Sequence, residues 1–344
     1  MTSVTPLCPV YRTCGGCQYQ HVSYPDELKF KEEYLKKALA VLNLPPTCFE
    51  AIVPSPQEYF YRNRLDLKLN RYKNGDIKIG FSPFGEKIVM NVEQCPIARC
   101  EINDFIPRVK DEAVKRLKPR YVQACLVIRS GDGKNPAWGG VGEGSLKQEP
   151  KDYFWTDITK LRIYYSLDTF FQANLSILPK VMDVIRNLPI WSHDALFFDL
   201  YGGVGLFGMC VSDLVKRVVL IEENPASIEL ASYNKDYNHL FNVDLYDGRV
   251  EIILPKLFKH YGEGKKIIMV DPPRAGLTKA AVEWINQLTG VEYLLYLSCH
   301  PDSLARNLKQ MKSLWSIERI IPFDFFPKTR HVETLVVLKS HAVV

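Results

Sequence analysis

The chain has no run of eighteen consecutive apolar residues, which excludes an ordinary membrane-spanning helix. Met1 to Val10 hold neither a charged start nor an apolar stretch, so no secretory leader is expected. These absences predict a cytoplasmic protein without a membrane partner. A strong charge imbalance is missing too: 44 Lys and Arg against 39 Asp and Glu leave a formal charge of +5, too little to coat a protein for nonspecific nucleic-acid binding. An RNA partner is permitted by that balance and not required by it. No internal repeat is evident, and a monomer is expected. Nine cysteines do stand out. In a compartment that keeps thiols reduced they point to metal binding and nucleophilic catalysis rather than disulfides.

A chain of 344 residues has room for two domains. Leu28, Leu35, Leu39 and Leu42 recur at near-helical spacing among Lys and Glu, predicting an amphipathic helix over 26–42. Leu65, Leu67 and Leu69 alternate with polar residues, Asn74-Gly75 supplies a turn, and Ile77, Ile79 and Phe81 alternate again, which predicts an antiparallel hairpin. Strand-like runs at 121–129 and 162–167 flank a glycine-rich stretch from Gly131 to Gly144. After Leu175 short apolar runs at 196–200, 217–221, 267–270 and 293–297 alternate with helix-like segments. That rhythm predicts a doubly wound α/β domain over 166–344, preceded by a smaller mixed α+β domain over 1–165. The last two apolar segments, 317–323 and 334–339, are expected to pair antiparallel at a sheet edge.

Asp271-Pro272-Pro273-Arg274, Ser298-Cys299-His300-Pro301 and His331-Val332-Glu333 each adjoin a run that reads as a buried strand, so an acid, a thiol and a carboxylate should gather at one sheet edge. Pro301-Asp302-Ser303 reads as a helix start, whose dipole would favour a thiolate at Cys299. Between Phe198 and Phe207 a strand enters a turn with Gly202, Gly203 and Gly205, where missing Cβ atoms let a nucleotide-like ligand approach the backbone. Glu222, about twenty residues on, is placed to accept hydrogen bonds from ribose hydroxyls. From the residues alone, two plainer readings stay open: Cys299 as a small buried hydrophobe and Glu333 as a solvated edge carboxylate. The chemistry stops at a thiol-dependent transferase or hydrolase.

Taken in order, 199–207, 271–274, 298–301 and 326–333, together with Phe170-Phe171-Gln172-Ala173-Asn174 and Tyr61-Arg62-Asn63-Arg64, resemble the motifs of the TrmA-like RNA 5-methyluridine methyltransferases. The resemblance covers nearly the whole chain. Cys8, Cys14 and Cys17, with five and then two intervening residues, plus Cys95, match that family's iron-sulfur ligands. Thiol chemistry alone would also allow a zinc ion, or Cys100 in place of Cys95.

What the resemblance implies is a Rossmann-like class I enzyme using S-adenosylmethionine, and carrying a 4Fe-4S cluster, to methylate carbon 5 of a uridine in RNA. Cys299 would be the nucleophile and Glu333 the base. Gln172, Tyr201, Glu222 and Asp271 would form the cofactor and target pocket, with Asp271 and Arg274 also on the uracil. The cluster-bearing relatives point to 23S ribosomal RNA, with transfer RNA as the alternative. An amino-group RNA methyltransferase and a non-catalytic iron-sulfur RNA-binding or redox-sensing protein are the remaining readings. Arg62, Arg64, Arg71 and Lys73, interleaved with Tyr59, Tyr61 and Tyr72, are candidate RNA contacts. Three positions depart from the family pattern: Gly202 stands where Cys is common, Leu206 where Asn is common, and His300 where Asn is usual.

Overall fold

In the computed structural model, residues 2–141, 146–262, 264–311 and 313–341 are described. The alternation of leucines with polar residues makes Arg64–Arg71 a strand, β1, that buries Leu65, Leu67 and Leu69 on one face. The Asn74-Gly75 turn returns it as β2 (Ile77–Phe81), with Leu69 opposite Ile79. With β3 (Met90–Asn91), β4 (Gln123–Gly131) and β5 (Lys134–Gly140) they form an antiparallel sheet in the order β3-β2-β1-β4-β5. Ile102, Ile106 and Val109 of the helix Cys100–Arg116 (α2) close its apolar face.

The glycine-rich stretch therefore does more than separate two strands. Its described part contains β5, paired with β4, while its residues 142–144 lie outside the described residues. Glycine weakens strand propensity, but the ladder to β4 and the packing of Trp138 on the α2 side override it here. A hairpin of β6 (Phe154–Ile158) and β7 (Leu161–Tyr165) follows.

The second sheet holds β8 (Leu196–Leu200), β9 (Arg217–Glu222), β10 (Val243–Asp247), β11 (Lys266–Val270), β12 (Val291–Ser298), β13 (Trp315–Phe323) and β14 (Glu333–Ser340). Their order is β10-β9-β8-β11-β12-β14-β13, all running one way except β14, which pairs antiparallel with both β12 and β13. β10 escapes a reading by hydrophobic runs because it is an edge strand of which only Val243 is buried. Both faces are covered, so neighbours such as Phe197 and Phe198 go to opposite cores, both fully buried. One core receives the helix Leu178–Arg186 (α3); the other receives Val250–Tyr261 (α6), Lys279–Gln287 (α7) and Pro301–Met311 (α8). The amphipathic pattern near the amino terminus becomes Tyr24–Leu39 (α1), capped by Ser23, whose side chain accepts from the Asp26 N–H. Leu35, Leu39 and Leu42 bury against this second core, so a segment far upstream covers the large sheet beside α8. Among the described residues no helix is long and apolar enough to cross a membrane.

The segment 166–174 between the two sheets is irregular, and Arg129 on β4 holds it. Its guanidinium is buried, donates to the carbonyls of Ser166, Thr169 and Phe171, and lies 5.2 Å from the centre of the Tyr165 ring. Tyr165 stacks on Phe171 at 4.2 Å. Burial pushes the guanidinium down to about 10, which leaves it charged at neutral pH. Arg129→Met would strand those carbonyls in the interior, each at a cost of roughly 1–3 kcal/mol. Urea unfolding should show a loss of about 3 kcal/mol; a change under about 0.5 kcal/mol would mean the carbonyls find other donors.

Candidate active site

Strand order reverses at β8, between β9 and β11, and a crevice forms at such a point past the strand carboxyl ends. After β8 the chain turns through left-handed backbone at Tyr201 (φ 63°), Gly203 (φ 56°) and Gly205 (φ 91°), then enters the short helix Leu206–Cys210 (α4). Nothing lies within 4 Å of where a Cβ on Gly203 would sit, so the backbone is open to a ligand there. Glu222, at the end of β9, is not a free surface charge. It accepts from the Gly203 N–H at 2.9 Å and from the Asn224 N–H at 2.7 Å, which pins the glycine turn.

Two of the departures from the family pattern have visible compensations. A Cβ on Gly202 would fall 2.6 Å from Leu220 Cγ, so the leucine fills the space a side chain would need. His300 precedes α8, and its Nδ1 accepts from the Ser303 N–H at 3.4 Å, the capping contact an Asn side chain would supply. Leu206 is buried at the start of α4.

Cys299 follows β12 and Glu333 begins β14. Ser298 pairs opposite Thr334, so the side chains of Cys299 and Glu333 fall side by side at one end of the sheet. Both line a cavity of about 640 Å³, together with Gln172, Arg274 and His331. Gln172 Nε2 approaches Asp271 Oδ2 at 3.4 Å, and Arg274 Nη2 approaches His331 Nδ1 at 3.4 Å. Asp271 is half-buried beside this group, whereas Tyr201 and Glu222 lie along the glycine turn and not on the cavity wall. Thr329, from the motif 326–333, also lines the cavity, as does Asn224, which was not singled out from the sequence. Asn224 has a signal after all: Asn-Pro opens the helix Pro225–Tyr237 (α5), where its side chain accepts from the Ser227 N–H.

The electrostatics differ from expectation. Burial, then the neighbouring Glu333 and Asp271 carboxyls, push the Cys299 thiol up to about 12, against the opposing charge of Arg274. The helix start and one cation do not offset desolvation among acids, so the thiol is protonated in the substrate-free cleft. Burial likewise raises Glu333 well above the usual carboxylate range, with Asp271 adding to the shift. Asp271 itself is raised to about 7 by burial and by Asp199. Asp199, raised to about 7, accepts from the Gly208 N–H at 2.8 Å, while its Oδ1 is buried without a partner. His331 is lowered to about 4 by burial and by Arg274, and so is neutral.

Cys8, Cys14, Cys17 and Cys95 converge on a second cavity, of about 280 Å³, while Cys100 sits exposed on α2 and off its wall. Burial, with a smaller push from the neighbouring thiols, raises Cys17 to about 12 and Cys95 to about 11. Among the described residues no three His, Cys, Asp or Glu side chains are arranged to hold a metal ion, so a closed single-ion cage is absent among them. Four sulfurs facing one cavity nonetheless suit a thiophilic group larger than one ion. Gly16 and Arg62 line both this cavity and the Cys299 cleft.

Five parallel strands closed by an antiparallel pair, with a glycine turn at the switch point, make the class I methyltransferase fold. A solved tRNA (uracil-54, C5)-methyltransferase of Pyrococcus abyssi, in complex with S-adenosyl-L-homocysteine, shares it with a TM-score of 0.70 and 22% identity, over 98% of this chain and 88% of that one. The family model described as tRNA (Uracil-5-)-methyltransferase matches residues 258–341. An uncharacterized RNA methyltransferase of Thermosynechococcus vestitus is 27% identical, over 98% of this chain and 84% of that protein. A tRNA (uracil(54)-C(5))-methyltransferase of Schizosaccharomyces pombe is 29% identical, over 96% of this chain and 65% of that protein. Family model, relatives and fold alike make the chain similar to the TrmA-like RNA 5-methyluridine methyltransferases, which use S-adenosylmethionine on carbon 5 of uracil.

A thiol titrating near 12 carries almost no thiolate at neutral pH. Alkylation of Cys299 in the free protein, followed by peptide mass spectrometry, should therefore rise about tenfold per pH unit from about pH 7 to about pH 10. A rate already flat above about pH 8 would show an ionised thiol instead.

Proposed function

We propose that this enzyme methylates a uridine of 23S ribosomal RNA, with Cys299 as nucleophile and Glu333 as base. The observation that carries the reading is the pairing of β12 with β14, which puts a thiol and a water-starved carboxyl on one cleft. Carbon 5 of uracil is a poor nucleophile. Once the Cys299 proton has passed to water, addition of the thiolate to carbon 6 pushes the ring electrons towards carbon 5, which can then attack an electrophile. S-adenosylmethionine, when bound, supplies the methyl group from its sulfonium. Carbon 5 then bears a methyl and a proton; Glu333 removes that proton, the double bond re-forms, and the carbon–sulfur electron pair returns to Cys299. Arg274 is the nearby cation that favours the thiolate, and Asp271 and Arg274 would meet the polar edge of the base.

Gln172, Tyr201, Glu222 and Asp271 would hold the cofactor, and the open backbone at Gly203 beside Glu222 fits that use. Cys8, Cys14, Cys17 and Cys95 would hold a 4Fe-4S cluster with a structural role, stapling the amino terminus to the rest of the chain. In this division residues 1–165 carry the cluster and contact RNA while 166–344 do the chemistry. Reaching carbon 5 requires the base to leave its stack, which costs a few kcal/mol and least in loops. Arg62 and Arg64 on the cleft wall are placed to meet the phosphates. Transfer RNA is the second reading, because the fission-yeast relative is named for tRNA uracil 54.

Labelled S-adenosylmethionine offered with 23S and transfer RNA should deposit label on carbon 5 of a 23S uridine; label confined to transfer RNA, or to exocyclic amines, rejects the assignment. Glu333→Gln should accumulate a protein–RNA adduct that survives denaturation, and Cys299→Ser should form none while staying folded. Anaerobically purified protein should contain about four iron and four sulfide per chain. Cys95→Ser should lose them, and a parent protein carrying zinc alone would overturn the cluster.

A further inference from the structure

Glu333 is the first residue of β14, and the segment that delivers it, 324–332, belongs to neither sheet. Residues 18–31 answer much of its backbone, alongside the Val53 carbonyl, which accepts from the Asp324 N–H, and the side chains of Asn174 and Tyr61, which donate to the Phe325 and Pro327 carbonyls. Asp324 is fully buried and accepts from Lys31 Nζ at 2.6 Å; the same ammonium donates to the Phe326 carbonyl at 3.0 Å and pairs with Glu27 Oε1 at 2.8 Å. Glu27 in turn accepts from the Lys328 N–H at 2.6 Å. The Lys328 carbonyl accepts from the N–H groups of both Gln18 and Tyr19 at 2.9 Å, and Gln18 Oε1 accepts from the Arg330 N–H at 3.1 Å.

Two further features show that this arrangement specifies a geometry. Lys328 sits in left-handed backbone at φ 69°, a strained conformation for a residue with a side chain, which persists only where its surroundings over-determine it. Lys31, Glu27 and Asp324 have fully buried side chains, and such charges hold a fold less economically than apolar packing of the same volume. Their directional bonds suit the task of fixing one backbone path. Downstream of that path Thr329, His331 and Glu333 all face the cleft.

We infer that residues 18–31, ending at Lys31, act as a strap that sets the position of Glu333, making Gln18, Glu27 and Lys31 positioning residues for removal of the carbon 5 proton. Cys299 stands between β12 and α8; α8 packs on α1, but none of the hydrogen bonds above reaches residue 299, so attack on carbon 6 should not depend on them. Gln18 directly follows Cys17, so the seating of the cysteine loop reaches the base through the same bonds. The inference rests on Glu333 being the base, and its test separates the two.

Lys31→Met and Gln18→Ala are compared with the parent by amide hydrogen exchange and by adduct level on a denaturing gel. Exchange in 325–332 should quicken by at least about tenfold while 291–298 is unchanged, and adduct should build up as kcat falls, by up to about 100-fold for Lys31→Met, with KM for RNA unaltered. Unchanged exchange in 325–332 overturns the strap, whatever the activity. Loosened exchange without adduct build-up, in a parent that methylates uridine through Cys299, overturns the positioning role. A parent that methylates uridine while its Glu333→Gln variant traps no adduct shows that the assignment of the base has failed instead. If Lys31→Met does not fold, Gln18→Ala and Glu27→Gln decide by the same readings.

Discussion

Antiparallel pairing of β14 against β12 is the constraint on which the geometry of the candidate site depends. Ser298 opposite Thr334 is one rung of a ladder running to Tyr293 opposite Lys339, and it sets where Cys299 leaves the sheet relative to Glu333. Side chains alternate faces along a strand, so a slip of one residue would carry Glu333 to the other side. The register is held by burial. Leu335 and Val337 enter one core and Val336 and Leu338 the other, with no spare polar face that could tolerate a shift.

Crowding acids at the strand ends has an electrostatic cost that becomes a property of the site. Asp199, Asp271 and Glu333 all gain protons more readily than in water, and the thiol beside them holds its own. A thiol so placed ionises only when its environment changes, which protects the sulfur from unproductive reaction. Arg274 is the local counterweight, and neutral His331 leaves that charge undiluted.

Two irregular segments bring the remaining groups to this edge, and each is held by buried charge. Arg129 gathers the carbonyls of 166–171 so that Gln172 meets Asp271, and Lys31 gathers Asp324 and Phe326 ahead of Glu333. Neither segment has a ladder of its own, so its polar backbone needs partners from elsewhere. The cysteine loop contributes from a third direction, sharing Gly16 and Arg62 between its cavity and the cleft.

Much of this was legible in the chain alone. Alternating leucines announced the β1–β2 hairpin, and short apolar runs announced β8, β9, β11 and β12, because a strand buried on both faces has no other way to be written. The motifs around Cys299 and Glu333 could be placed at strand ends by the same logic. Where local pattern is weak the reading failed: β5 lies in a glycine-rich stretch and β10 on an edge, and each forms because a neighbour supplies its hydrogen bonds. Tertiary structure alone decided the protonation of the thiol, since that depends on which carboxyls are packed against it and not on its sequence neighbours. It alone joined Lys31 to Asp324, nearly three hundred residues apart, because an ion pair across that separation leaves no periodic trace in the chain.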